Sequence, residues 1–263
     1  MSDNSFDVIV IGSGPGGYHA AIRAAQLGMN VACVEAEALG GVCLNIGCIP
    51  TKALLTSAAL VNEMSAAGKH GIGFDNLTID LGPAQERSRG VADQMSRGIS
   101  FLFKKNKITT IEGYGRLKGG GTVEVSAKDG SKTIYSSPHI VVATGSRPRD
   151  IGVLPIDEKM VWSSTGALFQ QQAPGSLAVV GAGAVGMEFA DVYASYGTQV
   201  TVIEAMDRAL PLEDQECSAA IARSYKKRGI KMMVGVRLEA SDVTEAGVKL
   251  TVKDGKGEVH VLE

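Results

Sequence analysis

Apolar positions in this chain cluster in short runs separated by glycine-rich turns, and one series of runs occurs twice. Phe6 to Ile11 is an apolar run of strand length. Gly12-Ser13-Gly14-Pro15-Gly16-Gly17 follows, then a helical stretch through Leu27, then a second strand from Asn30 to Val34 that ends at Glu35. Leu177 to Val180 opens the second copy, followed by Gly181-Ala182-Gly183-Ala184-Val185-Gly186, a helix through Tyr196, and a strand from Gln199 to Ile203 ending at Glu204. Between the copies, Lys52 to Lys69 and Ala84 to Lys105 read as helices with solvated charged faces. Each copy carries a hairpin: Thr122 to Ser136, turning at Asp129-Gly130, and Val248 to Val261, turning at Asp254-Gly255. The first hairpin leads into a return strand, His139 to Ala143, and then Thr144-Gly145; no counterpart follows the second hairpin before Glu263. Ser146 to Asp157, with Pro148 and Pro155, reads as a linker.

Strand, glycine turn, helix and strand in this order predict an α/β chain of two tandem Rossmann-like dinucleotide-binding domains, 1–150 and 151–263. In a doubly wound sheet the return strand lies beside the first strand. The second domain is therefore expected to be incomplete, with an open sheet edge where that strand belongs.

The 263 residues suffice for one large or two medium domains with a substantial core. An apolar content of 44% and a net charge of −2 argue against disorder and against a dedicated nucleic-acid binder. The longest apolar runs are far shorter than a membrane span. Met-Ser-Asp-Asn-Ser enters a strand almost at once, so no signal or transit peptide is expected, and a cytoplasmic location is.

The glycines carry the first chemistry. Gly12 and Gly181 permit the tight turn, Gly14 and Gly183 let backbone approach a pyrophosphate, and Gly17 and Gly186 allow close helix–strand packing, with each helix N-terminus facing the phosphates. Glu35 and Glu204 each lie 23 residues after the first glycine, placed to accept hydrogen bonds from ribose hydroxyls. One such motif is weak evidence; two with the acid at the same offset point to electrons passing between two bound dinucleotides. An acid at position 204 rather than Arg favours NAD over NADP.

Cys43 and Cys48 carry the second. On a regular helix their Cα atoms would lie roughly 8.5 Å apart, beyond the reach of about 7 Å that a disulfide tolerates. If both lie on one helix and bond, that helix must be irregular, and Gly47 can supply the freedom. A strained disulfide is more reducible, which suits catalysis. Core cysteines, as Cys33 and Cys217 read, are an alternative, as is a regulatory switch. Zinc ligation is a third, although His19, His70, His139 and His260 show no ligand-pair spacing nearby.

Gly40-Gly41-Val42-Cys43-Leu44-Asn45-Ile46-Gly47-Cys48-Ile49-Pro50-Thr51-Lys52 resembles the active-site signature of the flavin-dependent pyridine nucleotide–disulfide oxidoreductases. The Cys-Ile-Pro-Thr-Lys ending, Trp162 to Leu168 and Arg208-Ala209-Leu210-Pro211 resemble the dihydrolipoamide dehydrogenase branch of that family. The resemblance covers the whole chain but only the N-terminal part of a family member, whose C-terminal interface domain is absent. It implies FAD at the first site, with Gly12, Gly14, Gly17 and Glu35 at the pyrophosphate and ribose, and Gly41, Val42, Cys43 and Lys52 beside the cofactor. Gly115 would offer backbone to the adenine, and Thr144, Gly145 and Ser146 would line the flavin side. It implies a Cys43–Cys48 disulfide, Cys48 against the flavin and Cys43 exchanging with substrate, and an ion pair between Lys52 and Glu188. NAD would lie at Gly181, Gly183, Ala184, Val185, Gly186 and Glu204, with the Leu238 backbone at its adenine; no metal is implied.

The implied activity is oxidation of dihydrolipoyl groups by NAD⁺ through FAD and the disulfide. The implied partner is the lipoyl-bearing E2 component of 2-oxoacid dehydrogenase complexes, and the full-length family forms homodimers; no nucleic acid or membrane is involved. The family's His–Glu base has no match here, so full turnover is expected to need more than this chain. Another NAD(P)H-dependent disulfide reductase is the alternative within the class. A catalytically incomplete nucleotide-binding fragment is the alternative outside it.

Overall fold

A computed structural model describes residues 4–263. The first glycine turn joins β1 (Val8–Ile11) to α1 (Pro15–Gln26), which leads to β2 (Val31–Glu35). Helices α2 (Gly41–Ile46), α3 (Cys48–Ala66) and α4 (Leu81–Lys105) follow, with a 3₁₀ turn at Ala67–His70. Then come β3 (Thr109–Glu112), β4 (Tyr114–Gly119), β5 (Thr122–Ser126), β6 (Lys132–Ser136) and β7 (His139–Val142). The second half holds α5 (Ser164–Ala167), β8 (Ser176–Val180), α6 (Ala184–Ser195), β9 (Gln199–Glu204) and α7 (Gln215–Lys227), then β10 (Lys231–Val234), β11 (Val236–Thr244), β12 (Gly247–Asp254) and β13 (Val259–Leu262). Two compact units result: residues through Pro50 together with Arg89–Arg147, and Thr51–Ser88 together with Pro148–Glu263.

In the first unit a parallel sheet runs β3-β2-β1-β7. β1 is continuous in apolar residues because both of its faces are covered. Val8 and Val10 join Ala21 of α1 and Ile99 and Phe103 of α4 in one cluster. Ile9 and Ile11 join Val123 and Val125 of β5 in another. β5 belongs to an antiparallel sheet, β4-β5-β6, which lies on that second face. The return strand sits directly beside β1, with Val8 opposite His139.

The second unit repeats the pattern with β10-β9-β8, all parallel. Its antiparallel sheet, β11-β12-β13, packs Val236, Leu250 and Val252 against Ile203 of β9. Among the described residues β8 has no neighbour where β7 flanks β1. Both hairpins turn where Asp-Gly marks them; Asp254 Oδ1 closes the second by accepting the Lys256 and Glu258 amides at 2.9 Å.

Strands β3, β4, β10 and β11 have no counterpart in the apolar pattern. β3 buries only Ile111, and β4 is exposed along most of its length, so neither carries a readable alternation. One expectation needs correcting. By length and composition the helical run Gly41–His70 would suffice to cross a membrane. Run length missed this because polar residues such as Lys52, Thr56 and Asn62 interrupt an apolar stretch. The run is broken at Gly47, and its Ala53, Leu54 and Ala58 are buried within the protein.

Candidate active site

Each glycine turn is closed by a backbone hydrogen bond and by a close approach that a side chain would prevent. Gly12, at φ +97°, donates its amide to Val34 O at 2.8 Å, linking the turn to β2. A Cβ there would strike the Ala143 carbonyl and lie 3.2 Å from Thr144 Cα, so the chain leaving β7 passes directly over the turn. A Cβ on Gly17 would collide with the Gly12 carbonyl oxygen and sit 2.8 Å from its carbon. Gly14, the N-cap of α1, has nothing within 4 Å of where a Cβ would stand. The second turn repeats these relations except the clash at the first glycine, since a Cβ on Gly181 would meet nothing within 4 Å. Gly181, at φ +108°, donates to Ile203 O at 2.8 Å; a Cβ on Gly186 would collide with the Gly181 oxygen; and Gly183, the N-cap of α6, opens on empty space.

The acids close the turns in the same way. Glu35 accepts the Ser13 amide on Oε2 at 2.9 Å and the Glu37 amide on Oε1 at 2.8 Å. Glu204 accepts the Ala182 amide on Oε2 and the Met206 amide on Oε1, both at 2.8 Å. A carboxylate oxygen has room for a further donor. Open space at a helix N-terminus beside an oriented carboxylate fits a pyrophosphate next to a ribose, and each unit offers one such place.

The cysteine segment starts against the first turn. Gly40 (φ +94°) donates its amide to Ser13 O at 3.1 Å. A Cβ on Gly41 would lie 2.7 Å from Gly14 Cα, which is why two glycines stand here. α2 carries Val42, exposed, and Cys43, half-buried. It ends at Gly47, whose φ of −144° and ψ of −114° leave the helical region, and Cys48, exposed, begins α3. The two cysteines thus lie on separate helices across a one-residue break. A Cβ on Gly47 would lie 2.9 Å from Val42 O, so the break is tight.

Two residues, Asn45 in this segment and Tyr18 on α1, are given no role by the sequence. Asn45 Nδ2 donates to Leu39 O at 3.0 Å and to Gly41 O at 2.8 Å, and its Oδ1 accepts from Ser96 Oγ at 2.8 Å, fixing α2 to α4. Tyr18, following the third glycine on α1, is half-buried; burial first, then Cys43 and Cys48, push its phenol upward from the ordinary tyrosine value. Its ring centroid lies 4.4 Å from that of His19.

The remaining candidate residues divide. Lys52 Nζ lies 2.5 Å from Glu188 Oε1 on α6. Thr144, Gly145 and Ser146 are exposed beyond β7. Ala184 and Val185 form the first turn of α6, where Val185 is exposed. Gly115 lies on β4, where a Cβ would stand 3.0 Å from Ile11 and 3.3 Å from Val34, so packing alone accounts for this glycine. Leu238 packs into the β9–β12 core beside a bulge in β11. Cys33 is fully buried in β2, and burial, then the Glu35 charge, push its thiol up to about 12; Cys217, read from the sequence as a core cysteine, is instead exposed on α7.

The chain thus combines two acid-closed glycine turns with a cysteine pair across a helix break. A family profile described as pyridine nucleotide-disulphide oxidoreductase matches residues 6–262, and the chain belongs to that family. It is 46% identical over 92% of its length to dihydrolipoyl dehydrogenase of Chlorobaculum tepidum, of which it covers 52%. It is 41% identical over 95% of its length to the mitochondrial dihydrolipoyl dehydrogenase of Pisum sativum, covering 50% of it. Among solved structures, LpdA from Mycobacterium tuberculosis superimposes with a TM-score of 0.87 at 28% identity, over 97% of this chain and 56% of that one. The chain spans about half the length of the relatives it matches.

Proposed function

We propose that this chain is the FAD- and NAD-binding portion of a dihydrolipoyl dehydrogenase, with Cys43 and Cys48 as its redox disulfide. The observation that carries this reading is the placement of the pair: α2 packs Gly41 on Gly14 of the first glycine turn and breaks at Gly47 between the two cysteines. The names of the relatives support the substrate class.

On this reading a dihydrolipoyl thiolate attacks Cys43 Sγ of the closed disulfide, forming a mixed disulfide and releasing Cys48 as a thiolate. The second substrate thiol, once deprotonated, displaces Cys43. The substrate then leaves as a disulfide and the cysteine pair holds its two electrons. FAD, when bound, would supply a two-electron acceptor between the cysteine pair and NAD⁺. Glu35 would hold the adenosine ribose of the first dinucleotide and Glu204 that of the second, while Gly14 and Gly183 would admit the pyrophosphates. The dithiol belongs to the lipoyl-bearing E2 component of a 2-oxoacid dehydrogenase complex, and the working form is a homodimer.

The test is spectroscopic. The purified chain with added FAD is expected to show a bound-flavin spectrum that dihydrolipoamide bleaches. Cys43→Ser and Cys48→Ser are each expected to keep the spectrum and lose the bleaching. A chain extended to the relatives' length is expected to couple dihydrolipoamide oxidation to NAD⁺ reduction. No flavin binding, or turnover that survives Cys48→Ser, would overturn the reading.

A further inference from the structure

At their acids, the two glycine turns share two backbone hydrogen bonds and differ by one hydroxyl. Ser13 is fully buried, and its Oγ donates to Glu35 Oε2 at 2.5 Å while its own amide donates to the same oxygen at 2.9 Å. Its carbonyl accepts from the Gly40 amide, so its backbone is held too. The Glu35 carboxylate therefore receives three hydrogen bonds from the chain, counting Glu37 N. At the second turn the equivalent residue is Ala182, and Glu204 receives two, both from backbone. A hydrogen bond to an ionised acceptor is a strong one, and an acceptor already fixed in its bound rotamer loses less freedom when a ligand arrives.

We infer that Ser13 is a positioning residue for ribose recognition: its hydroxyl locks Glu35 before ligand arrives, so the first site retains its dinucleotide, while Ala182 leaves Glu204 less constrained and the second site exchanges its own. This rests on the reading that the first site holds FAD and the second NAD. Retention of one dinucleotide and exchange of the other is what a relay between a resident and a diffusing cofactor requires, and among the contacts that hold the two acids a single side-chain oxygen makes the difference.

The experiment uses the 263-residue chain as Ser13→Ala and, reciprocally, Ala182→Ser. FAD release is followed by flavin fluorescence, NADH binding by calorimetry, and both FAD and an analogue with 2′-deoxyadenosine are titrated. Ser13→Ala is expected to weaken FAD by about tenfold, the scale of one charge-assisted hydrogen bond, and to change the deoxy analogue by less than about twofold, since the analogue lacks the hydroxyl that Glu35 reads. Ala182→Ser is expected to tighten NADH and slow its release. Equal losses for FAD and the analogue would assign Ser13 to the fold alone and overturn the inference. So would unchanged FAD affinity in Ser13→Ala, or unchanged NADH binding in Ala182→Ser. A wild-type chain that binds no FAD would instead overturn the assignment of the first site, and the inference with it.

Discussion

Two glycines of one turn are expected to fail in opposite ways when each receives a methyl group. In Gly17→Ala the new Cβ overlaps the Gly12 carbonyl oxygen, stands 2.8 Å from Gly12 C and 3.4 Å from Val10 Cγ1. Carbon contacts settle at about 3.5–4.0 Å, so α1 must retreat from β1 by roughly an ångström. Overpacking of this kind costs about 1–3 kcal/mol or more. For a unit of this size that is roughly 5–20 °C in Tm. Gly14→Ala meets nothing within 4 Å, and its φ of −65° suits any residue. Alanine is a poorer N-cap by about 0.5 kcal/mol, and the loss of unfolded-state freedom returns a similar amount, so stability stays near wild type. The methyl then stands where a pyrophosphate would approach, and FAD affinity falls. Thermal unfolding without ligand and flavin titration separate the two variants. Gly17→Ala unfolding at the wild-type temperature, or Gly14→Ala binding FAD as wild type does, would refute the reasoning.

Other consequences are as direct. Cys33, with its thiol at about 12 against an ordinary 9.0, stays protonated in the folded chain while the unfolded chain ionises. It therefore contributes stability that is complete below pH 9 and lost as pH rises toward 12; urea titrations across that window should show the loss, and Cys33→Ala should flatten it. Alkylation of the reduced, folded chain followed by mass spectrometry should modify exposed Cys48 and Cys217 and leave Cys33 untouched until the chain unfolds. The Lys52–Glu188 pair is largely solvent-accessible on the lysine side. A double-mutant cycle with Lys52→Met and Glu188→Gln should give a coupling of about 0.2–1 kcal/mol that shrinks in salt; a coupling above about 2 kcal/mol, insensitive to salt, would mean that the pair is shielded.

Much of this protein could be read from its residues because its rules are local. The Gly12-to-Gly17 and Gly181-to-Gly186 spacings encode steric facts about one turn, and Glu35 and Glu204 stand at an offset set by the length of one helix and one strand. The apolar run of β1 announced a strand, and the structure covers it on both faces. What escaped has a physical reason in each case. Ser13 and Tyr18 occupy motif positions where many residue types fit, so nothing in the spacing marks them. Asn45 acts through contacts to Leu39 and Ser96, the latter half a hundred residues away, and such contacts leave no pattern near it. β3 and β4 show little apolar alternation because few of their residues are buried.

The sequence by itself determined the α/β class, the two glycine turns with their acids, and a cysteine pair too far apart for one regular helix, because each depends on covalent spacing and nearest-neighbour sterics. Only the tertiary structure decided that the helix breaks at Gly47, that Gly41 rests on Gly14, that residues 51–88 group with the second unit, and that one hydroxyl separates Glu35 from Glu204. Those depend on which surfaces meet when distant segments pack, and no local pattern carries that information.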